Sequence, residues 1–317
     1  MDTAERDLFA SSLRHATERH TGPALDAALA ELGWADARAD DPRTAVALLF
    51  ELQGAANVTS SALDQVLLAA LGVDPADDPG LGVVLPRRGT GSPGEVAGEA
   101  LRVRGLGSAA LAGRERAIVV AGAVAVTVDV AALAPRPVGG MDPGLGLVEV
   151  TVDRVRPSTS ATPPPAVWAD AVAAGQRALA HELVGVSRTM LRLARDHAVE
   201  RIQFGRPIAL FQAVRHRLAE ALVAIEAADA AAGAAWDDGT PLTAAMAKAV
   251  AGRSARTTAR HCQQVLAGIG FTTEHPFHLH LRRALVLDHL LGDARTLTRQ
   301  LGEDLLQARR LPAILPL

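Results

Sequence analysis

Residues 199–216 read Val199-Glu-Arg-Ile-Gln-Phe-Gly-Arg-Pro-Ile-Ala-Leu-Phe-Gln-Ala-Val-Arg-His216. Gly205-Arg-Pro207 punctuates this stretch, and glycine next to proline ends regular helix. On both sides, over 166–200 and 208–237, apolar residues recur at three-to-four spacing, the period of an amphipathic helix. Two more segments of the same kind follow at 241–267 and 279–310, with breaks at Asp237-Asp-Gly-Thr-Pro241 and over 268–276. Four long helices joined by short breaks and rich in small apolar residues predict an antiparallel four-helix bundle over 166–317.

Upstream, the texture changes twice. Residues 1–74 are helix-like over 7–20, 23–32, 42–57 and 60–71, with Thr21, Asp41 and Thr59 or Ser60 as capping residues. Between 75 and 160 glycine and proline are dense, and short valine-rich runs at 82–85, 99–103, 117–120, 124–130 and 145–152 predict strands of a small β domain. Pro157-Ser-Thr-Ser-Ala-Thr-Pro-Pro-Pro165 reads as the linker to the bundle. The fold class expected is α+β, mostly α: N-terminal helices (1–74), a shortened central β domain (75–160) and a C-terminal bundle (166–317).

Composition narrows the function. Of 317 residues, 49% are apolar and 21% charged, enough apolar material for a buried core. A net charge of −3 lacks the basic excess of nucleic-acid binders, so no nucleic-acid partner is expected. The single cysteine, Cys262, excludes a disulfide framework and any multi-cysteine metal site. The acidic first residues carry no secretory signal pattern, and the longest uncharged apolar run, 117–128, is too short to span a bilayer as a helix. A cytoplasmic protein with no membrane partner is expected. His275, His278, His280 and His289 cluster in sequence but lack acidic or cysteine partners at regular spacing, so no metal is assigned. No GxGxxG is read as following a strand, and P-loop, HExxH and GxSxG motifs are absent.

The 199–216 stretch closely resembles the acyl-CoA dehydrogenase signature, Arg-x-x-Phe-Gly-x-Pro-Ile-x-x-Phe-Gln followed by a histidine-containing helix. Gln264-Val-Leu-Ala-Gly-Ile-Gly-Phe-Thr-Thr-Glu-His-Pro276 is similar to the family's second signature loop, which is followed by an arginine, here Arg282. The resemblance is strong over 166–292, fair over the N-terminal helices and thin in the β zone. It implies N-terminal helices, a central β-barrel, a four-helix bundle and FAD as cofactor. It also implies that one subunit reaches a neighbour's FAD. Arg201 would pair with the pyrophosphate, since a guanidinium fork matches phosphate oxygens. Gln203 would hydrogen-bond nearby, Phe204 and Gln212 would pack near the adenine, and Gln264 and Gly268 would line the adenosine and pyrophosphate region. Read singly, these residues are ordinary: Arg201 suits a helix C-terminus, Phe204 suits a core and Gly268 suits a helix stop.

The chemistry this resemblance implies needs a carboxylate to take the substrate α-proton. In most members it lies about seventeen residues after the Glu of the second loop, which here is Leu291, followed by Gly292 and Asp293. In a minority it lies at the start of the first bundle helix, which here is Gly175. Both positions lack a carboxylate. Glu182 and Asp288 are the acidic residues near enough to be recruited, and Asp293 beside a flavin pyrophosphate would be repulsive. The flavin-ring segments of the family are replaced by Val84-Leu-Pro-Arg-Arg-Gly-Thr-Gly-Ser-Pro93 and Gly105-Leu-Gly-Ser-Ala-Ala-Leu-Ala-Gly113. What would serve a neighbour is kept, and what would serve the chain's own flavin is lost. The resemblance therefore implies a subunit of a hetero-oligomeric α2β2-type acyl-CoA dehydrogenase, with no catalytic residue of its own. A second, complete subunit, an acyl-CoA substrate of the steroid-derived class and an electron-transfer flavoprotein would be its partners. A self-sufficient homo-oligomer with a displaced carboxylate, and a non-enzymatic scaffold on the same fold, are the alternatives.

Overall fold

A computed structural model describes residues 2–122, 124–158 and 165–309. Five helices come first: α1 (Thr3–Arg19), α2 (Pro23–Glu31), α3 (Trp34–Asp40), α4 (Pro42–Ala56) and α5 (Ala62–Ala70). Asp2 and Glu5 form a capping box that satisfies the first free N–H groups of α1. Asp41 caps α4 by accepting from the Thr44 N–H at 3.1 Å. Thr21 does not cap α2, whose N-cap is Gly22; its hydroxyl instead accepts from the Thr59 N–H. Helix α3 was not legible from periodicity. It is started by Gly33 in the left-handed region, and its first residue, Trp34, is buried with its indole N–H donated to the Ala45 carbonyl.

The strands follow: β1 (Leu81–Val83), β2 (Leu85–Pro86), β3 (Gly94–Ala97), β4 (Ala100–Gly107), β5 (Arg116–Ala121), β6 (Val124–Asp129), then a short α6 (Val130–Leu133), β7 (Arg136–Pro137) and β8 (Val148–Val155). They form two sheets. One has the order β1-β5-β6, with β1 parallel to β5; the other runs β2-β4-β8-β7, with β3 also on β4. Leu101, Val103, Val119, Val126, Val128, Val148 and Val150, drawn from both sheets, fill one core.

The bundle consists of α7 (Pro165–Glu200), α8 (Gln212–Asp238), α9 (Pro241–Leu266), α10 (Phe277–His289) and α11 (Ala294–Ala308). Between α7 and α8 lies a small hairpin of β9 (Ile202–Gln203) and β10 (Arg206–Pro207). The fourth helix expected over 279–310 is therefore two helices. Leu291 and Gly292 adopt positive φ values of 53° and 104°, which helix cannot continue through, and the Asp293 side chain caps α11 through the Thr296 N–H. Most of the expected linker lies outside the described residues. None of the described helices is long and apolar enough to cross a membrane.

Two devices bind the N-terminal helices and strands to the bundle. Helix α4 crosses α7 through reciprocal glycines: a Cβ on Gly54 would lie 2.2 Å from the Glu182 carbonyl oxygen, and one on Gly185 would lie 2.0 Å from that of Glu51. Only glycine allows backbones this close. The second device is Arg283 of α10, which is fully buried. Its guanidinium pairs with Asp142 in the β7–β8 connection and donates to the Val58 carbonyl beyond α4. Glu182 of α7 lies 3.8 Å away. One cation thus joins three regions of the chain.

Candidate functional site

Arg201, Gln203, Phe204, Gln212, Gln264 and Gly268 all lie on the surface, at the end of the bundle where α7 and α9 finish and α8 and α10 begin. Phe204-Gly205 forms the tip of the β9–β10 hairpin, with both residues at positive φ (54° and 78°). A two-residue tip of this kind favours Asn-Gly, because a β-branched or bulky side chain at positive φ is strained. Phe204 is nevertheless 91% exposed, so a core role is excluded. Its ring meets Phe211 edge-on at 6.0 Å, and the Arg206 guanidinium lies 4.4 Å over Phe211. The nearby 3-10 turn Ala267–Phe271 adds exposed Phe271, and a ring contact between His197 and His275 ties the two segments together.

Arg201 has no carboxylate within 4.0 Å among the described residues, so its fork is free for an external anion. Gln203 donates to the Ile202 carbonyl, Gln212 opens α8, and a Cβ on Gly268 would meet nothing within 4 Å. A free guanidinium, exposed aromatic surface and open backbone suit the pyrophosphate and adenine of a dinucleotide such as FAD. None of these side chains turns toward the chain's own interior.

The interior around Leu291 has the opposite character. Leu291 is 5% exposed, and its Cδ1 would lie 2.4 Å from a Cβ on Gly175; Leu67 and Leu63 close the same space. The two positions at which the family places its carboxylate therefore face each other, and the leucine fills both. Gln176 donates to the Leu291 carbonyl at 2.9 Å, and the ammonium of Lys248, the only lysine of the chain, donates to the carbonyls of Asp288 and Gly292. The bend is thereby fixed from both sides.

Neither substitute carboxylate is free. Asp288 is buried, accepts the Ala294 N–H and is gripped by Arg256 at 2.8 and 2.6 Å. Glu182 is buried, and desolvation pushes its carboxyl up to about 7 against the opposing pull of Arg283. That value suits a general base. The space beside it, lined by Leu179, Leu287 and Leu290, is only about 40 Å³. Small-molecule sites occupy about 300–1,000 Å³, so this space has room for a water and not for a thioester. Asp293 is occupied as the α11 cap: its carboxylate is bonded to the Thr296 N–H and hydroxyl and to Arg88, and is held down at about 2.

Arg282 is exposed, and it is the adjacent Arg283 that is buried. Sequence reasoning missed the Asp142–Arg283–Glu182 group, since nothing local links residues 141 positions apart. It also missed a run of arginines at 253, 256 and 260, whose helical spacing was there to be read. Among the described residues no group of three or more His, Cys, Asp or Glu side chains is placed to hold a metal.

Comparison with known proteins gives the same direction. Residues 169–306 match the family model described as acyl-CoA dehydrogenase, C-terminal domain. The acyl-CoA dehydrogenase IpdE2 of Mycobacterium tuberculosis is 36% identical over 169 residues, covering 53% of this chain and 51% of the relative. FadE34 of the same organism is 47% identical over 121 residues, covering 36% of this chain and 17% of the relative. The chain thus spans about half or less of the curated relatives it matches. Over almost its full length the fold superposes on a Tcur3481-Tcur3483 steroid ACAD variant (TM-score 0.78, 21% identity, 96% of this chain and 99% of that one). It superposes equally on a chain of the ChsE4-ChsE5 complex from M. tuberculosis (TM-score 0.75, 20% identity, 99% of each). Residues 169–306 thus match an acyl-CoA dehydrogenase C-terminal domain, with both signature loops at one end of the bundle, and the fold is shared from end to end with the solved structures.

Proposed function

We propose that the protein is one subunit of a hetero-oligomeric, FAD-dependent acyl-CoA dehydrogenase that oxidises the Cα–Cβ bond of a steroid-derived acyl-CoA thioester. In this reading Arg201, Gln203, Phe204, Gln212, Gln264 and Gly268 close the adenosine and pyrophosphate side of an FAD whose ring is held by a second acyl-CoA dehydrogenase subunit. The catalytic carboxylate belongs to that subunit as well. The observation that carries the reading is the packing of Leu291 against Gly175, an apolar contact between the two positions at which the family would place its base. The two-protein names of the similar structures support it, one of them a steroid ACAD. Bound FAD would supply the hydride acceptor, and an electron-transfer flavoprotein would take the electrons onward. The role of this chain is to bind and orient: Arg201 neutralises phosphate charge, and Phe204 and Phe211 cover apolar surface and exclude water.

The test is flavin per chain, from the visible spectrum and protein mass, for the protein alone and after co-expression with its partner. About one flavin per two chains, appearing only in the mixed complex, is the expected result. One flavin per chain in the lone protein would instead favour a self-sufficient enzyme. Loss of its turnover in Glu182→Gln or Asp288→Asn would then locate a displaced base.

A further inference from the structure

The N-terminal helices and the β domain enclose a cleft of about 390 Å³, and among the described residues no bundle helix lines it. Its walls are α2, α3, α5, the connection from α5 to β1, and Arg114, which follows the 3-10 turn Ala109–Gly113. Asp64 of α5 is only 1% exposed. One of its carboxylate oxygens accepts the Ser108 hydroxyl at 2.6 Å, and the other, Oδ1, has no hydrogen-bond partner among the described residues. The Nε groups of Arg38 and Arg114 are likewise buried without an acceptor. Buried polar groups are nearly always paired. Three orphans on one cleft, an acceptor and two donors, therefore call for a partner of both kinds from outside the chain.

The neighbouring charges decide what that partner carries. Asp26 of α2 accepts the Ser61 N–H at 2.7 Å, Asp74 accepts the Ala76 N–H at 2.9 Å, and Asp78 pairs with Arg116 at 2.8 Å. Arg114 donates through another nitrogen to the Pro79 carbonyl, and the Arg38 guanidinium lies 5.7 Å from the centre of the Trp34 ring. Asp74 attracts Arg38 and Arg114 attracts Asp64, yet desolvation outweighs both: it lowers the pKa of Arg38 and raises the Asp64 carboxyl to about 6. Asp26 adds to that rise by repelling the Asp64 charge. An ammonium group beside Asp64 and Asp26 relieves the repulsion, and a carboxylate matches the two guanidinium groups. Pro23, Ala30, Ala35, Leu68 and Leu81 supply apolar wall for an aliphatic body, and the volume falls at the low end of small-molecule sites.

We infer that this cleft binds a small zwitterion of the amino-acid class, its ammonium held by Asp64 and Asp26 and its carboxylate by Arg38 and Arg114. The inference does not rest on the shared-cofactor reading, since the flavin-facing residues are all on the bundle. Calorimetric titration and thermal unfolding of the full chain use the standard amino acids, β-alanine and γ-aminobutyrate as probes, with ethylamine and acetate as carriers of one charge each. At least one zwitterion should bind saturably and raise the melting temperature by about 2 °C or more at saturation. The single-charge probes should bind about tenfold more weakly or not at all. Asp64→Asn keeps an acceptor for the Ser108 hydroxyl and should weaken binding about tenfold or more; Arg38→Gln with Arg114→Gln should do the same from the other end. Binding should also weaken as pH falls below about 6, where Asp64 takes up a proton and no longer attracts an ammonium group. No saturable binding by any zwitterion, equal binding of ethylamine, or binding indifferent to both sets of substitutions overturns the inference.

Discussion

Two loops of this molecule have nearly the same backbone. At Leu291-Gly292 and at Phe204-Gly205 a large apolar residue takes a positive φ, 53° and 54°, directly before a glycine that does the same. Left-handed backbone costs a non-glycine residue about 1 kcal/mol. For Leu291 the chain offsets this itself: the side chain is buried against Gly175 and Leu67, and the bend is bonded by Gln176 and Lys248. For Phe204 the chain offers only the edge-on contact with Phe211, since the ring is 91% exposed. The difference separates a loop whose conformation is held by the chain's own packing from one whose large side chain stays at the surface.

The comparison can be broken most severely at Leu291. Leu291→Glu would restore a carboxylate where relatives have one, yet here it would be buried without room, and urea denaturation should show a loss of about 4 kcal/mol with no activity gained by the lone chain. A smaller effect comes from Glu182, in the same interior. Its folded-state pKa of about 7 lies above the usual 4.5, so the native state binds the proton more tightly. Stability should fall as pH rises between those values and be flat above, by at most about 3 kcal/mol, and Glu182→Gln should flatten the profile. At the other loop the effects move to the complex. Arg201→Ala should leave the melting temperature of the lone chain unchanged while flavin titration of the mixed complex shows about thirtyfold weaker binding, roughly 2 kcal/mol. Phe204→Asn should sharpen the contrast with the smallest effect. It relieves the turn, raising the melting temperature of the lone chain by about 2 °C, while association with the partner weakens.

Much of the fold was legible because its signals are local. The bundle helices announce themselves by period, and α4 by Asp41 ahead of Pro42. Helix α3 was invisible because seven residues carry too few repeats of a 3.6-residue period, and its Trp34 is fixed by a distant carbonyl. The break of the fourth helix depended on Leu291 accepting a conformation its side chain disfavours, which only the packing on Gly175 makes tolerable. For the site, motif spacing picked out residues that the fold brings to one end of the bundle. The same spacing could not reveal that Phe204 points outward, that Asp293 is absorbed into a helix cap, or that Arg283, and not Arg282, is the buried one.

The solitary lysine has a practical consequence. Lys248 is fully buried, and desolvation lowers its amine to about 8, a value at which the neutral, nucleophilic form is plentiful near physiological pH. The ε-amine is sterically shielded and held by the carbonyls of Asp288 and Gly292. Any acylating reagent, thioesters included, can reach it only when α9 parts from the bend at 288–292. The rate at which Lys248 becomes modified is then a clock for the opening of that bend, readable by mass in a single peptide with no competing side chain of its kind.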